Sequence, residues 1–293
     1  MPMYVAVAIV LSLFVTLVCV CGGADEQPAP PQISYQAHRG GLKEVPENTL
    51  AAVRHAWGCP GAIPEVDVCT TQDGAFVLMH DDTPRRTTTA PEAFKDQPIS
   101  KIPLETIRQW DAGIKFNAKF TGEKVPMLTE VFEEMKGRPE RQVYLDLKDI
   151  DLKKLGAMID EYGVKDQVIF VHGDPAKCLE LTTLFPGART MTWLSGPART
   201  IKQRFQALAE TGFKGISQIQ LHLKATKTEP AIQFALDSDF LREAAQKARA
   251  AGAELQVRPF SIDARSLNHL IGMGIYWYVT DEPARFAEIL NGR

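Results

Sequence analysis

Short apolar, β-branched runs alternate along this chain with longer stretches in which apolar residues recur at spacings of three and four. Eight runs read as strands: Ile33–Ala37, Ile63–Cys69, Gln142–Leu147, Val168–His172, Arg189–Trp193, Ile216–Leu221, Glu254–Phe260 and Trp277–Thr280. Leu50, Val53, Ala56 and Trp57 mark one amphipathic helix between them, and Leu152, Leu155, Ile159 and Tyr162 mark another. Pro175 and Pro283 suit the first turns of two more, with Asp174 and Asp281 or a neighbour as caps. Strands joined by crossover helices form parallel sheets. Eight of them close most simply as an α/β fold of the (β/α)8 TIM-barrel type. A doubly wound open sheet is the alternative, but no glycine-rich phosphate fingerprint follows the first run.

Two segments break the alternation. Phe76–Met79 follows the second strand closely and reads as a hairpin arm turned at Asp73-Gly74. The stretch from Asp81 to Glu123 then forms a polar insertion with one short helical pattern, Leu104 to Trp110. Long insertions in compact domains commonly serve as lids or binding loops, and the nearness of His80 points to a lid, with a solvent-facing excursion as the alternative.

The N-terminus is set apart from the barrel. Residues 1–24 carry no charge and are almost continuously apolar from Tyr4 to Val20, and a proline-rich linker (25–32) follows. This pattern predicts an export signal cleaved near Ala24. An uncleaved membrane anchor and lipid attachment at Cys19 or Cys21 are the alternatives. All three place the body, residues 33–293, outside the cytoplasm, and the last two associate it with a membrane. Composition adds little: 293 residues, 45% hydrophobic and 24% charged, with net charge −3. Without a basic cluster, a nucleic-acid partner is not expected. Cys59, Cys69 and Cys178 match no zinc spacing and read as small hydrophobes.

The chemistry is concentrated between residues 38 and 81. His38-Arg39-Gly40 closes the first strand, Pro46-Glu47-Asn48-Thr49 opens a helix, Glu65-x-Asp67 lies on the second strand, and His80-Asp81 ends the hairpin arm. Side chains two apart on a strand share a face about 7 Å apart, so Glu65 and Asp67 can address one cation. Asp146 and Lys148 do the same on the next strand. All-oxygen ligation by Glu65, Asp67 and Asp146 suits Ca2+ or Mg2+. His38 and His80 read as an acid–base pair. Arg39, with its planar fork of donors, and Lys148 read as phosphate ligands.

These blocks resemble the signature of the glycerophosphodiester phosphodiesterase family: H-R-G, P-E-N-T, E-x-D-V-x-x-T-x-D-G and H-D. The resemblance resumes at Val125-Pro126-Met127-Leu128, Tyr144-Leu145-Asp146-Leu147-Lys148 and Thr280-Asp281-Glu282-Pro283. It implies a small-molecule glycerophosphodiester substrate, split into glycerol 3-phosphate and an alcohol after attack by the glycerol 2-hydroxyl on phosphorus. It implies proton transfer by the paired histidines, and leaves open which is acid and which base. A phospholipase-like relative, favoured by exposed aromatics among Phe94, Trp110, Phe116 and Phe120, and a retired barrel that only binds are the alternatives. Three departures fall in the substrate half. Asp146 stands where the family has glutamate, and Val257-Arg258-Pro259-Phe260-Ser261 replaces a W-T-V-N-like segment. Gly274-Ile275-Tyr276 lacks the aspartate of G-V-D. Arg258, His172, Trp193 and Gln218 lie near predicted strand ends as candidates for reading an unusual alcohol or extra phosphate. Oligomeric state is left open.

Overall fold

The computed structural model describes residues 32–229 and 232–292; the apolar N-terminal segment and nearly all of the linker lie outside them. Eight parallel strands close into a barrel: β1 (Ser34–Ala37), β2 (Ala62–Thr70), β4 (Val143–Leu147), β5 (Val168–Val171), β6 (Arg189–Leu194), β7 (Gln218–Leu223), β10 (Glu254–Pro259) and β11 (Trp277–Thr280). The β1–β2 pairing, Ala37 opposite Pro64, completes the ring. All eight expected strands are present. The sixth of them, β7, starts two residues later than its sequence pattern, because Ile216 is held in a turn by Phe213.

The helices of the outer layer are α1 (Leu50–Gly58), α3 (Leu128–Met135), α4 (Leu152–Tyr162), α5 (Pro175–Leu184), α6 (Ala198–Glu210), α7 (Ser238–Ala250), α8 (Ala264–Gly272) and α9 (Pro283–Asn291). Their apolar faces meet the outward residues of the strands. Val66, Val68, Leu145 and Phe170 join Val131, Phe132 and Leu155 in one buried cluster, and Ile219, Leu221, Leu255 and Tyr278 join Phe205, Leu241 and Phe286 in another. Asp174 caps α5 ahead of Pro175, as expected. Asp281 does not cap α9. Glu44 reaches across the chain to accept the Ala284 and Arg285 amides at 3.0 and 3.1 Å, and Asp281 is left for other work.

The inside of the barrel is mixed. Ile63, Tyr144, Ile169, Val171 and Met191 form an apolar group. Opposite them, β7 alternates as Gln218-Ile219-Gln220-Leu221-His222-Leu223, with its polar residues pointing inward. Contacts across the bore prove the orientation: the Tyr144 hydroxyl donates to Gln218 at 2.7 Å, and Gln220 donates to Gln36 and Gln256 at 3.2 and 2.9 Å. Buried amides survive because they satisfy one another.

Strand β3 (Phe76–Leu78) pairs antiparallel with β2 across the Asp73-Gly74 turn. The insertion that follows, including α2 (Leu104–Ile107), folds onto it with a core of its own from Val77, Met79, Ile99, Ile102, Ile107 and Trp110. It is a packed flank of the barrel, anchored by buried side chains rather than hung as a flap. A second short hairpin, β8 (Ala225–Lys227) with β9 (Gln233–Phe234), follows β7 and has no counterpart in the sequence pattern. Cys59, Cys69 and Cys178 are buried free thiols. Among the described residues no helix is long and apolar enough to cross a membrane.

Gly40 turns the chain after β1 at φ +80°, and a Cβ there would lie 2.5 Å from the Ala52 Cβ on α1. Gly40→Ala is therefore expected to cost roughly 2 kcal/mol or more in urea unfolding. Gly58→Ala, which meets open space at the end of α1, should be neutral or stabilising by up to about 1 kcal/mol.

Candidate active site at the barrel mouth

Strand register brings the acidic residues together. Asp67 on β2 pairs directly with Asp146 on β4, and Glu65 lies two residues back on the same face. One carboxylate oxygen from each of Glu65, Asp67 and Asp146 lies within 4.8 Å of the other two. Glu65 and Asp67 are 3% and 1% exposed. Burial, reinforced by Asp67 and Asp146, pushes the Glu65 carboxyl well above its usual range. Burial likewise raises Asp146 to about 6 against the pull of Lys148, with Asp67 adding to the rise. Burial would also raise Asp67, but the Lys148 ammonium at 2.8 Å and the Asn48 amide outweigh it, and Asp67 titrates low. Three carboxylates in this space with only partial compensation are a fit for a hard divalent cation, and nitrogen or sulfur ligands are absent from the cluster.

Each residue of Pro46–Thr49 has a task in holding this arrangement. The Thr49 hydroxyl bonds the Pro46 carbonyl at 2.7 Å and caps α1 through the Ala52 amide. Asn48, at φ +56°, both donates to Asp67 Oδ2 and accepts the Asp67 amide, each at 2.9 Å. Glu47 bonds Arg39 at 2.9 Å and Arg86 of the insertion at 2.6 and 2.7 Å. Arg39 takes the left-handed conformation, φ +51°, which turns its amide onto Glu65 Oε2 at 2.7 Å. Its Nε is buried without a hydrogen-bond partner, 3.7 Å from Asp67.

The two histidines flank the cluster in unlike settings. His38 ends β1, and its Nδ1 lies 2.9 Å from Asp281 Oδ1 and 2.9 Å from an Arg258 terminal nitrogen. Burial depresses its basicity; Asp281 opposes this, while Arg258 and Arg39 add to it. His80 is more open and is held through Nδ1 by Asp81 at 2.8 Å, which Arg86 braces in turn at 2.7 Å. Its charge bears on both Asp67 and Asp146. Lys148 lies 3.6 Å from Asp146 as well as contacting Asp67, so it is a charge partner of the cluster. Two depressions open beside the site. One, of about 400 Å3, lies between the loops after β10 and β11 and reaches Arg258 and Asp281. The other, of about 550 Å3, runs between Lys148 and the insertion at Asp82 and Ile99.

All seven residues singled out from the sequence thus lie around one mouth. Of the further candidates, Arg258 belongs to it. Gln218 lies buried in the bore, Trp193 packs on Gly173, and His172 Nδ1 accepts the Asp174 amide in a turn. Asp281, Asn48, Glu47, Arg86 and His222 were not assigned site roles from sequence. The alternation leading to a histidine at the end of β7 was the available signal for His222; Arg86 offered none.

Fold and site together define a barrel with a cluster of three carboxylates and two buttressed imidazoles at its C-terminal mouth. Residues 38–285 match the model of the glycerophosphoryl diester phosphodiesterase family, and the chain belongs to that family. A glycerophosphodiester phosphodiesterase of Caldanaerobacter subterraneus is 42% identical over 139 residues, covering 45% of this chain and 55% of that protein. One from Bacillus altitudinis is 26% identical over 86% of this chain and 96% of its own length. The chain spans about half the length, or less, of the first curated relatives it matches. A glycerophosphodiester phosphodiesterase of Agrobacterium tumefaciens superposes with TM-score 0.70 at 24% identity, over 88% of this chain and all of that one. An Oleispira antarctica phosphodiesterase solved with the product sn-glycerol-3-phosphate superposes with TM-score 0.62 at 23% identity, over 89% and 97%.

The raised carboxyls carry a stability consequence. A carboxyl whose folded pKa lies above its unfolded value favours folding at low pH and loses that contribution as pH rises through the folded value. With divalent cations chelated, Asp146→Asn should therefore raise the unfolding temperature above about pH 6 and change it little below about pH 4. With calcium or magnesium present the order should invert. Thermal melts across pH, with chelator and with cation, read both.

Proposed function

We propose that this protein is a cation-dependent hydrolase of glycerophosphodiesters, releasing glycerol 3-phosphate and an alcohol. The observation that carries the reading is the convergence of Glu65, Asp67 and Asp146 between two imidazoles, each braced through Nδ1 by its own carboxylate. The family, the names of the curated relatives and the product bound by the Oleispira protein support the substrate class. Glu65, Asp67 and Asp146 would hold Ca2+ or Mg2+, which when bound would offset their repulsion and lower the pKa of a substrate hydroxyl.

His38 serves as the base. Its burial and the neighbouring guanidinium groups keep the ring neutral, Nδ1–H donates to Asp281, and Nε2 has no hydrogen-bond partner among the described residues. Nε2 takes the proton of the glycerol 2-hydroxyl as that oxygen bonds to phosphorus, and Asp281 stabilises the imidazolium that forms. His80 gives a proton to the departing alcohol oxygen as its bond to phosphorus breaks, with Asp81 balancing the imidazolium charge beforehand. The two rings exchange roles when water opens the cyclic phosphate. Arg39 and Lys148, both beside the carboxylates, are assigned to the phosphate oxygens.

A second reading, action on intact or lyso-phospholipids, is favoured by Ile114 and Phe116, 42% and 41% exposed on the insertion. Phe94 and Trp110 pack against each other and do not contribute. Retention of the whole catalytic set argues against a retired binding barrel. Export, proposed from the uncharged N-terminal segment, is tested by cell fractionation; recovery of the protein in the cytoplasm refutes it.

His38→Ala and His80→Ala are each expected to lower turnover by about 10²–10⁴ with thermal melts unchanged; full activity in either variant ends that residue's assignment. Chelation should abolish hydrolysis of glycerophosphodiesters, and calcium or magnesium should restore it. Assayed beside lysophospholipids, the same panel decides between the two substrate readings.

A further inference from the structure

We infer that His222 and Arg258 form a pair that reads the hydroxyl groups of the glycerol half of the substrate beside His38. The inference rests on the phosphodiesterase reading above. His222 ends β7 and Arg258 ends β10, opposite each other in register, so the two side chains stand next to one another at the mouth. The buried amides below set the hydrogen-bonding sense of the imidazole. Gln220 spends its Nε2 donors on Gln36 and Gln256, and its Oε1 faces His222 Nε2 at 3.1 Å. Gln256 in turn donates to the Tyr144 hydroxyl at 3.4 Å, which donates to Gln218. The proton of His222 therefore sits on Nε2, and Nδ1 is an acceptor. That atom has no hydrogen-bond partner among the described residues, and the ring is only part-buried at the barrel rim. Burial, followed by the charges of Arg258 and His38, lowers the ring to about 4, which keeps Nδ1 an acceptor at neutral pH.

Arg258 supplies the complement. The terminal nitrogen that donates to Asp281 is the same one that lies 2.9 Å from His38 Nδ1, and Arg258 lines the cavity of about 400 Å3. Its other nitrogens have no hydrogen-bond partner among the described residues, and its strand position is directly beside that of His222. A hydroxyl both donates and accepts, and so satisfies both; an alkyl chain satisfies neither, and an ammonium has no lone pair for Arg258. Phe260, 51% exposed, lies edge-on to His222 at 5.5 Å and under Arg258 at 5.2 Å, offering an apolar surface to a carbon skeleton. Of the other charges around the cavity, Lys43 and Arg285 pair with Glu282 and Asp263 caps α8, while Glu229 also lines it. The position of the pair next to His38 puts it on the side of the attacking hydroxyl.

Calorimetric binding of glycerol 3-phosphate and of ethyl phosphate, which lacks the two hydroxyls, to the calcium-loaded full chain tests this. Glycerol 3-phosphate should bind at least about 10-fold tighter, and His222→Leu should cut that ratio by about 3–10-fold. Arg258→Gln should cut it too, while His222→Gln, which keeps an acceptor, and Arg258→Lys, which keeps a donor, should retain more of it. Equal affinities in the wild type, or a ratio unmoved in both His222→Leu and Arg258→Gln, would overturn the inference. If diesters are hydrolysed but the ratio is flat, only this inference falls. If no glycerophosphodiester is hydrolysed and neither phosphate binds, the hydrolase reading falls and takes it along.

Discussion

The structure is organised around negative charge confined at the mouth of the barrel. Parallel pairing sets Asp67 beside Asp146, and the two-residue repeat of β2 adds Glu65 to the same face. Carboxylates taken out of water and placed this close are costly. The surrounding loops lower that cost piece by piece. Asn48 fixes Asp67 from both sides, the Arg39 amide is turned onto Glu65 by a left-handed backbone, and Lys148 brings an ammonium against Asp67. Strain at Arg39 and Asn48 is sensible in this light, since both conformations aim a polar group at a carboxylate.

The same constraint separates the two imidazoles. His38 is buried among guanidinium groups, with one carboxylate to orient it. His80 lies nearer to the acidic cluster and is held by Asp81, itself tied through Arg86 to Glu47 and back to Arg39. Two rings of one chemical type thereby acquire different environments, the difference that the proposed proton transfers would use. The insertion contributes to this as a fixed wall, because its Arg86 closes the link between His80 and the first loop. The polar bore contributes on the other side, where glutamines replace the branched apolar residues that commonly fill such barrels. Those amides add specificity of orientation, and they carry it to His222 at the rim.

Much of this was legible before any coordinates. Eight strand-like runs separated by amphipathic stretches admit few topologies, because parallel strands need crossovers and crossovers cover both flanks of a strand. The carboxylates and histidines were legible because their spacing places them at strand ends and on one strand face. Asp281 or its neighbour reads as a helix cap because an acidic residue just ahead of a proline at a helix start has that meaning locally, yet neither side chain caps α9. The cap came instead from Glu44, some 240 positions away in the chain, and no local pattern reports such a partner. His222 was overlooked because the sequence pattern ended β7 two residues early, leaving the ring outside the strand that presents it. The β8–β9 hairpin escaped for a simpler reason: two strands of three and two residues are too short to show a period.

By itself the chain therefore determined its architecture and which polar residues gather at the mouth, because hydrophobic periodicity and motif spacing are local properties. Only tertiary structure decided which imidazole is buried among cations and which stands by the carboxylates, and which acid serves as a brace. It likewise decided that Arg258 and His222 share a rim. Those outcomes follow from closure of the barrel, which joins β11 to β1 and sets β10 against β7, and so makes neighbours of residues that are remote along the chain.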